Sequence, residues 1–362
     1  MATPPPLTLI LPTFNESKNI EALLTEISAH PDSKMLERVI VVDDDSPDGT
    51  AELVKKIKDK FAFPVGCIHR IGRSGLSSAV VEGVMAASTD YIAVMDADGQ
   101  HNPADLFAML REKDAQTQIM IGSRFYGGGK QSSHQGLRST YSDFGNRLCN
   151  LLLRQNLSDP LTGFFIARRD MIAKNAKRLT QTGFKILFSL CFYEGEAKIE
   201  ERRIDFRNRQ AGESKLDGKV MLDFMSQLIE FLTRGIIPSA FVSFAFVGSL
   251  GVAIYFAVFY AMRFGGVAFF QTTLLATVVA MVFNYALNNV LTFSRFQKRG
   301  LGPWVVGLLG FCLISSVGGV ANVGVANYLQ GQENPEWRSA LVGILVGTVF
   351  NFVMSRAYVW RS

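Results

Sequence analysis

From residue 7 to about residue 206, short apolar runs alternate with amphipathic stretches, a pattern typical of strands alternating with helices. Strands are predicted at residues 7–11, 39–42, 65–69, 91–95, 119–125 and, at the edge of the sheet, 199–206. Helices are predicted at residues 17–27, 51–60, 75–87 and 141–154, the last with Phe144, Leu148, Leu151 and Leu152 on one side. This alternation predicts a mainly parallel α/β sheet covered by helices on both faces.

Beyond about residue 234 the pattern changes to four long apolar stretches, residues 236–262, 267–293, 304–329 and 340–360. Each is long enough to cross a bilayer, which takes about 20 residues of helix. The segment 219–233 before them is amphipathic, as in helices that lie in the bilayer interface. We therefore predict a globular domain (1–218), an interface helix and linker (219–235) and an all-α transmembrane domain of four helices (236–362).

Cations between the apolar stretches predict the orientation of the protein in the membrane. One set of flanking segments holds Arg234, Arg295, Lys298, Arg299, Arg356 and Arg361, whereas the opposite loops hold only Arg263 and Arg338. By the positive-inside rule, the globular domain and both termini are expected to be cytoplasmic. The first apolar run is short and follows no positively charged segment, so it is interpreted as a strand and not as a signal peptide.

Composition narrows the classes of partner. The 362 residues are 48% hydrophobic and 19% charged, with a net charge of +5. The cations lie singly or in pairs and form no basic run, which argues against a nucleic-acid partner and favours a membrane surface or an anionic substrate. The four cysteines show no pairing pattern and are expected to be reduced.

Candidate chemistry lies at the ends of the predicted strands. Residues 12–16, 43–48 and 96–100 each follow a strand, and in parallel sheets ligands bind at the carboxyl ends of the strands. Three polar loops should therefore converge on one crevice. In an extended segment Asp96 and Asp98 point to the same side, so both carboxylates can face one cation.

Several motifs, in this order and at these spacings, carry a resemblance to a known family: LPTFNE, VVDDDSPDGT, MDADGQHNP, GSRF, DPLTGFF, GFKIL and RQAGESKL. Over residues 7–220 the chain resembles a family 2 glycosyltransferase of the dolichol (polyprenyl) phosphate mannose synthase type. The four-span tail, with NNVLTFSR and NFVMSRAYVW, resembles a GtrA-like membrane domain. The resemblance implies a Rossmann-like GT-A fold, a nucleotide sugar donor, a lipid phosphate acceptor and one divalent cation.

The resemblance also implies roles for individual residues. Those expected to line the nucleoside pocket are Pro12, Phe14, Glu16 and Asp44. Those expected to hold the metal and the diphosphate are Asp96, Asp98 and Gln100, and their all-oxygen donor set suits Mg²⁺ or Mn²⁺. Those expected near the acceptor phosphate are Arg124, Arg138 and Ser142, and those near the diphosphate or the membrane face are Arg209 and Lys215. Asp98, Arg124 and Arg138 are the candidate catalytic residues. The chain departs from the family at Gly99, where a leucine is common.

The function implied is an inverting transfer of mannose from GDP-mannose to dolichyl or polyprenyl phosphate, giving a β-linked product. A lipid phosphate is already an anionic nucleophile, so positioning arginines matter more than a general base. The nearest alternative is a UDP-glucose-dependent polyprenyl phosphate glucosyltransferase. An alternative of another class is a lipid-linked sugar flippase with a nucleotide-binding regulatory domain. An oligomer formed through the membrane domain also stays open.

Two further enzyme classes are disfavoured. A processive polysaccharide synthase would be expected to carry a Q-x-x-R-W segment, which the chain lacks. A Rossmann dehydrogenase would need a G-x-G-x-x-G turn after a strand, and Gly72 and Gly75 do not form one.

Overall fold

The computed structural model describes residues 6–73, 75–128, 137–153, 155–179, 186–207, 218–233, 235–332 and 334–361. The chain forms two compact units, Met1–Lys215 and Leu216–Ser362. All four cysteines are free, as the sequence predicts.

The first unit is an α/β domain. Its strands are β1 (Leu7–Thr13), β2 (Leu36–Asp43), β3 (Val65–His69), β4 (Tyr91–Val94), β5 (Ile119–Ser123), β6 (Phe165–Arg168) and β7 (Ile199–Arg203). Its α-helices are α1 (Ile20–Ala29), α2 (Thr50–Ile57), α3 (Leu76–Ala86), α4 (Pro103–Glu112), α5 (Leu137–Leu153), α6 (Arg169–Lys174), α7 (Ala176–Leu179) and α8 (Ile186–Tyr193).

The described strands form one seven-stranded sheet in the order β3-β2-β1-β4-β6-β5-β7. Strand β6 runs antiparallel to both neighbours, and the other pairs are parallel, which confirms the predicted mainly parallel sheet with its last strand at an edge. Strands β1 and β5 are buried along their whole length, as expected where helices cover both faces of a sheet.

The first strand is longer than predicted. Its sequence suggests that Pro12 ends it, but β1 continues to Thr13 and Pro12 pairs in register with Val42 of β2. Pairing with β4 on the other side ends at Ile10 and Val94. Alternate residues of a strand turn their N–H groups to the same side, so Pro12 faces the side where β4 has ended. Its missing N–H therefore removes no hydrogen bond from the sheet.

Two features of the helices differ from the sequence prediction. Helices α4, α6, α7 and α8 are additional elements. The first of them follows Asn102, whose side chain accepts a hydrogen bond from the N–H of Ala104 (3.0 Å).

On α5 the predicted apolar face is wrong at Leu151, which is 74% exposed. Leu148 and Leu152 are partly buried, and the side chain of Phe144 lies outside the described residues. Among the described side chains of this helix, those of Cys149 and Leu153, four residues apart, are buried.

The second unit is helical. Its helices are α9 (Gly218–Leu232), α10 (Ser239–Phe264), α11 (Phe269–Val290), α12 (Leu301–Gln330) and α13 (Glu336–Met354). Helices α10 to α13 are long and apolar enough to cross a membrane, with α13 extended to Val359 by a π-helical turn, which confirms the four predicted spans. Their buried core is an aromatic cluster formed by Phe244, Tyr285, Phe293, Phe311, Phe352 and Trp360.

Helix α9 has the amphipathic character predicted for residues 219–233. It contacts α10, where the hydroxyls of Ser226 and Ser243 lie 3.1 Å apart. Leu228 and Phe231 are buried, whereas an exposed apolar set remains on the helix, formed by Met221, Met225 and Leu232. The apolar side chains of α9 are thus partly packed and partly exposed.

Candidate active site

One cavity of about 360 Å³ lies at the carboxyl ends of β1, β2 and β4. Six residues predicted for the site line it, namely Pro12, Phe14, Glu16, Asp44, Asp96 and Asp98. Thr13, Leu76, Ala79 and Ala97 complete the lining. The predicted convergence of three polar loops is therefore present, and their side chains face one space that is open to ligand.

Hydrogen bonds fix the loop after β1 to the loop after β2. Three consecutive backbone N–H groups donate to side-chain oxygens of the second loop: Asn15 to Ser46 (2.9 Å), Glu16 to Thr50 (3.1 Å) and Ser17 to Asp48 (3.0 Å). Because Asn15 has a left-handed backbone (φ 62°), the chain turns sharply enough for these contacts. The first wall of the cavity is thus held rigidly without a ligand.

The acidic run after β2 divides into structural and cavity-facing residues. Asp43 is fully buried and accepts hydrogen bonds from Thr13 Oγ1 (2.9 Å) and from the N–H of Ser46 (3.0 Å). Asp45 turns outward with φ 54° and lies 3.1 Å from His69 Nε2. Asp44 lines the cavity, so it is the member of this run placed to contact a ligand.

The carboxylate of Asp44 is oriented by a buried arginine. One oxygen accepts a hydrogen bond from Arg70, and the other accepts one from the N–H of Gly75 (2.6 Å). Arg70 is only 2% exposed, and it also contacts Ser78 Oγ (2.6 Å) and Glu82 (2.9 Å). Burial raises the pKa of Asp44, while Gly75 and Arg70 oppose that rise. Arg70 directly follows a predicted strand, but no motif in the sequence marks it as a site residue.

Asp96 and Asp98 follow β4, as predicted, but residues 97–99 form a bend and not the extended segment that the sequence suggests. Both aspartates nevertheless line the same cavity. Asp98 accepts a hydrogen bond from the N–H of Gln100 (3.1 Å), which closes a tight turn around Gly99. Gly99 has φ 77°, a left-handed conformation that glycine adopts without steric penalty, so here the departure from the common leucine suits the backbone.

Gln100 connects this turn to the segment after β7. Its carbonyl accepts a hydrogen bond from the N–H of Arg207 (2.8 Å), and its side-chain amide donates to the carbonyl of Arg207 (3.4 Å). Gln100 does not line the cavity itself, but it is adjacent to the two aspartates in the same turn. The three predicted ligands are therefore neighbours, with two of them facing the cavity.

Arg124 is paired with a carboxylate that the sequence analysis did not select. Its Nε lies 2.7 Å from Asp159 Oδ2 and its Nη2 lies 2.9 Å from Oδ1. Burial alone would lower the pKa of Arg124, but the hydrogen bonds and charge of Asp159, with a contribution from Asp96, raise it. The guanidinium therefore stays charged beside Asp96.

The remaining predicted residues lie outside the part of the chain that is described in full. Arg138 and Ser142 lie on α5, but their side chains are outside the described residues. Arg209 and Lys215 lie outside the described residues altogether.

The two cavity-facing aspartates fit a hard divalent cation. Among the described residues there is no cluster of three or more His, Cys, Asp or Glu side chains that could hold a metal. Mg²⁺, however, usually keeps several waters and binds one or two carboxylates together with substrate phosphates. Two carboxylates and a neighbouring amide, all oxygen donors beside an open cavity, match that manner of binding.

Comparison with known proteins identifies the family of each half. Residues 8–175 match the profile described as "Glycosyl transferase family 2", and residues 243–360 match that described as "GtrA/DPMS, transmembrane domain". The two matches fall in the sheet-containing unit and in the helical unit, respectively. This agrees with the GT-A-like sheet domain followed by membrane helices, and the protein is an integral membrane protein.

This chain covers most of the length of three similar proteins. A "Dolichol-phosphate mannosyltransferase" of Pyrococcus furiosus is 29% identical over 358 residues, covering 98% of this chain and 99% of the relative. Another, from Mycosarcoma maydis, is 34% identical, covering 66% of this chain and 83% of the relative. A "Polyprenol monophosphomannose synthase" of Mycolicibacterium smegmatis is 28% identical, covering 63% and 87%, respectively. The chain therefore belongs to the family 2 glycosyltransferases of the dolichol-phosphate mannosyltransferase type, with a GtrA-like transmembrane domain.

Proposed function

We propose that this protein transfers mannose from GDP-mannose to dolichyl or polyprenyl phosphate and releases a β-linked polyprenyl phosphate mannose. The observation that carries the proposal is the cavity where Asp44, Asp96 and Asp98 meet, with the charge of Arg124 acting on Asp96. An acidic pocket beside a fixed guanidinium suits a donor diphosphate bound through a cation next to an anionic acceptor. The names of the relatives support mannose and a lipid phosphate.

The donor nucleoside is proposed to occupy the wall formed by Pro12, Phe14, Glu16 and Asp44. Arg70 and Gly75 hold the Asp44 carboxylate in one orientation, so it can accept N–H groups of a base. Guanine offers adjacent N–H donors to such a carboxylate, which favours GDP-mannose as the donor.

The diphosphate is proposed to bind beside Asp96, Asp98 and Gln100. A Mg²⁺ or Mn²⁺ ion held there would stabilise the charge that develops on the departing diphosphate, without a proton transfer. Asp98 keeps its carboxylate in place through the N–H of Gln100, and Gln100 in turn is anchored to Arg207. These contacts support a preorganised site for the donor diphosphate.

The acceptor phosphate is proposed to bind Arg124, together with Arg138 and Ser142, while Arg209 and Lys215 add positive charge near the diphosphate or the membrane face. Arg124 donates hydrogen bonds to Asp159 from Nε and Nη2, so we assign its Nη1 group to the acceptor phosphate. The lipid phosphate attacks the sugar from the face opposite the diphosphate, so an α-linked donor gives a β-linked product. No general base is needed.

The catalytic unit and both termini are proposed to be cytoplasmic, because cations concentrate on one side of the spans. The exposed apolar set on α9, Met221, Met225 and Leu232, is proposed to lie in the bilayer interface. This arrangement keeps the protein at the surface where a polyprenyl phosphate presents its head group. The membrane helices are also proposed to form the subunit contacts of any oligomer.

The proposal is tested by radiolabelled transfer to polyprenyl phosphate in detergent, with GDP-mannose and UDP-glucose compared, each with and without a chelator. We expect labelled lipid from GDP-mannose only, a β-linkage in the product, and loss of transfer after complete metal removal. Preference for UDP-glucose would favour the glucosyltransferase alternative. An α-linked product would contradict direct inversion. Lipid-linked sugar transport that persists in Asp98→Ala would favour the flippase alternative.

A further inference from the structure

We propose that Gly163 and His101 position the carboxylate of Asp96, and that they are positioning residues for the transfer reaction. This inference rests on the cation-binding role proposed above for Asp96. Neither residue was selected from the sequence, although Gly163 lies in the DPLTG segment and His101 directly follows the DADGQ turn.

Gly163 lies against the Asp96 carboxylate at a distance that admits no side chain. A Cβ added at residue 163 would lie 2.7 Å from Asp96 Oδ2, 2.9 Å from Oδ1 and 3.0 Å from Cγ. Gly163 is not among the described glycines with positive φ, so its backbone would accept alanine. Glycine is therefore required at residue 163 because the Asp96 carboxylate occupies the place of a side chain, and not because of the backbone conformation.

His101 holds the carboxylate from another direction. Its Nε2 lies 3.5 Å from Asp96 Oδ2, and the residue is only 3% exposed. The ring is packed between Phe164 (4.8 Å between centroids) and Phe206 (5.3 Å). Its backbone also pairs with that of Phe206. Such packing prevents the imidazole from swinging away from Asp96.

The two contacts are built by one short segment. Gly163 makes the steric contact with Asp96, and the next residue, Phe164, packs against the ring of His101. Burial does not fix Asp96, because its side chain is 40% exposed. A cation with few protein ligands is sensitive to the orientation of each carboxylate, so this contact pair sets the cation affinity.

The test compares two glycine substitutions of similar steric severity in the full-length protein. Gly163→Ala meets the mobile end of a side chain, so Asp96 rotates and the fold is kept. The control Gly83→Ala meets Ile10 Cγ2 at 2.7 Å in the apolar core of the first unit. It is expected to reduce stability without changing cation affinity. Mn²⁺ binding in the presence of GDP, followed by electron paramagnetic resonance, and thermal unfolding are measured for both.

We expect Gly163→Ala to weaken Mn²⁺ binding roughly 10- to 100-fold with a wild-type unfolding midpoint. His101→Leu should weaken it as well, and His101→Gln, which retains an N–H donor, should recover part of the loss. If Gly163→Ala binds Mn²⁺ as tightly as the wild-type protein does, this inference is wrong, but the proposed cation site is not contradicted. Failure of the wild-type protein to bind Mn²⁺ with GDP would instead contradict the proposed cation site, and the inference with it.

A second inference comes from the membrane unit, whose two helical hairpins repeat in sequence. Residues 282–284 (Val-Phe-Asn) recur at 349–351, and Gly251 recurs at Gly318, each at the same offset of 67 residues, the difference between 251 and 318. Helices α11 and α13 begin at Phe269 and Glu336, again at that offset. No insertion or deletion separates the two copies over this length.

The equivalent residues also make equivalent contacts. The side-chain amide of Asn284 lies in close contact with Gly251 within the first hairpin, and that of Asn351 lies in close contact with Gly318 within the second. The aromatic cluster is composed of equivalent pairs, formed by Phe244 with Phe311, Tyr285 with Phe352, and Phe293 with Trp360. The members of the last pair stack on each other at 4.3 Å. Contact between a residue and its own equivalent is characteristic of two-fold symmetry.

We infer that the membrane unit is a duplicated helical hairpin. In each copy, one glycine–asparagine contact joins the two helices of the hairpin. The side-chain oxygens of Asn284 and Asn351 are buried without a conventional hydrogen-bond donor among the described residues. Each faces the Cα–H of its glycine, a weak donor that is common where helices approach closely. We therefore expect the two contacts to contribute similarly to stability.

The duplication is tested by matched substitutions in the full-length protein. Gly251→Ala and Gly318→Ala should lower the thermal midpoint of the membrane unit by similar amounts, because each displaces its asparagine. Gly248→Ala and Gly319→Ala are the controls, since a Cβ at either position meets nothing within 4 Å. Tryptophan fluorescence reports this unit alone, because all three tryptophans, Trp304, Trp337 and Trp360, lie within it. If one of the two glycine–asparagine variants is as stable as the controls, the inference is wrong.

Discussion

Asp159 holds Arg124 by two parallel contacts, Nε to Oδ2 at 2.7 Å and Nη2 to Oδ1 at 2.9 Å, and the carboxylate is completely buried. Removal of its charge should therefore weaken the site for the acceptor. We expect Asp159→Asn to lose about 2 kcal/mol of stability and to raise the KM for polyprenyl phosphate roughly tenfold. The KM for the nucleotide sugar should change little. Steady-state kinetics with each substrate varied separately provides the measurement.

The control for that substitution is Asp170→Asn. Asp170 pairs with Arg168 at 2.8 Å, but both side chains are largely exposed, so the pair contributes little. Equal kinetics of Asp159→Asn and Asp170→Asn would contradict a positioning role for Asp159.

Asp98→Asn should reduce transfer about 100-fold or more, because the negative charge proposed to hold the cation at the diphosphate is lost. The fold should be kept, since the asparagine oxygen can still accept the N–H of Gln100. Circular dichroism and transfer assays on the same preparation separate these effects. Asp45→Asn is the matched control, because Asp45 is an acidic residue of the neighbouring loop that turns away from the cavity. Comparable losses in both variants would argue against a specific role for Asp98.

Glu201→Gln should raise stability at neutral pH. Glu201 accepts hydrogen bonds from the N–H and the hydroxyl of Ser158, both at 2.9 Å, and glutamine can keep them. Burial raises the pKa of Glu201, with Ser158 opposing the rise. A carboxyl whose pKa is raised by folding favours the folded state below its ordinary pKa and loses that contribution as pH rises through the folded value.

The advantage of Glu201→Gln should accordingly be present at pH 7 and disappear near pH 4. Scanning calorimetry at the two pH values measures the difference. The same advantage at both values would contradict the expected titration of Glu201.

The C-terminal tryptophan should stabilise the membrane unit. Trp360 is 1% exposed, donates from Nε1 to Asn289 Oδ1 (3.0 Å) and stacks on Phe293. We expect Trp360→Phe, which loses the hydrogen bond and part of the buried ring system, to cost about 1–3 kcal/mol, and Trp360→Ala about 3–5 kcal/mol. Trp337→Phe, at a position 64% exposed, should be neutral. Thermal unfolding in detergent checks the order, and a neutral Trp360→Ala would contradict it.

The overall architecture could be predicted because its signals are local. Apolar runs define the strands and the four spans, and the carboxyl ends of parallel strands necessarily meet, which brought Asp44, Asp96 and Asp98 together in advance. The antiparallel β6 and the exposed face of α5 could not be predicted, because tertiary packing decides them.

The supporting residues of the site were harder to predict than its ligands. Asp159 and Arg124 are 35 residues apart, and no periodicity links them. Arg70 follows the strand predicted at residues 65–69 and His101 follows the DADGQ segment, and neither position carries a local signal of its role. Their roles depend on burial and on contacts across the fold, which a single sequence does not encode visibly.

The sheet itself has a step at the cavity, because β1 runs on to Thr13 after its pairing with β4 has stopped at Ile10 and Val94. The depth of this step depends on how far each strand extends, and backbone hydrogen bonds determine that length. Substitutions of the side chains that line the cavity can therefore alter ligand preference without closing the step. Selectivity for the donor can therefore diverge among relatives while the scaffold stays constant.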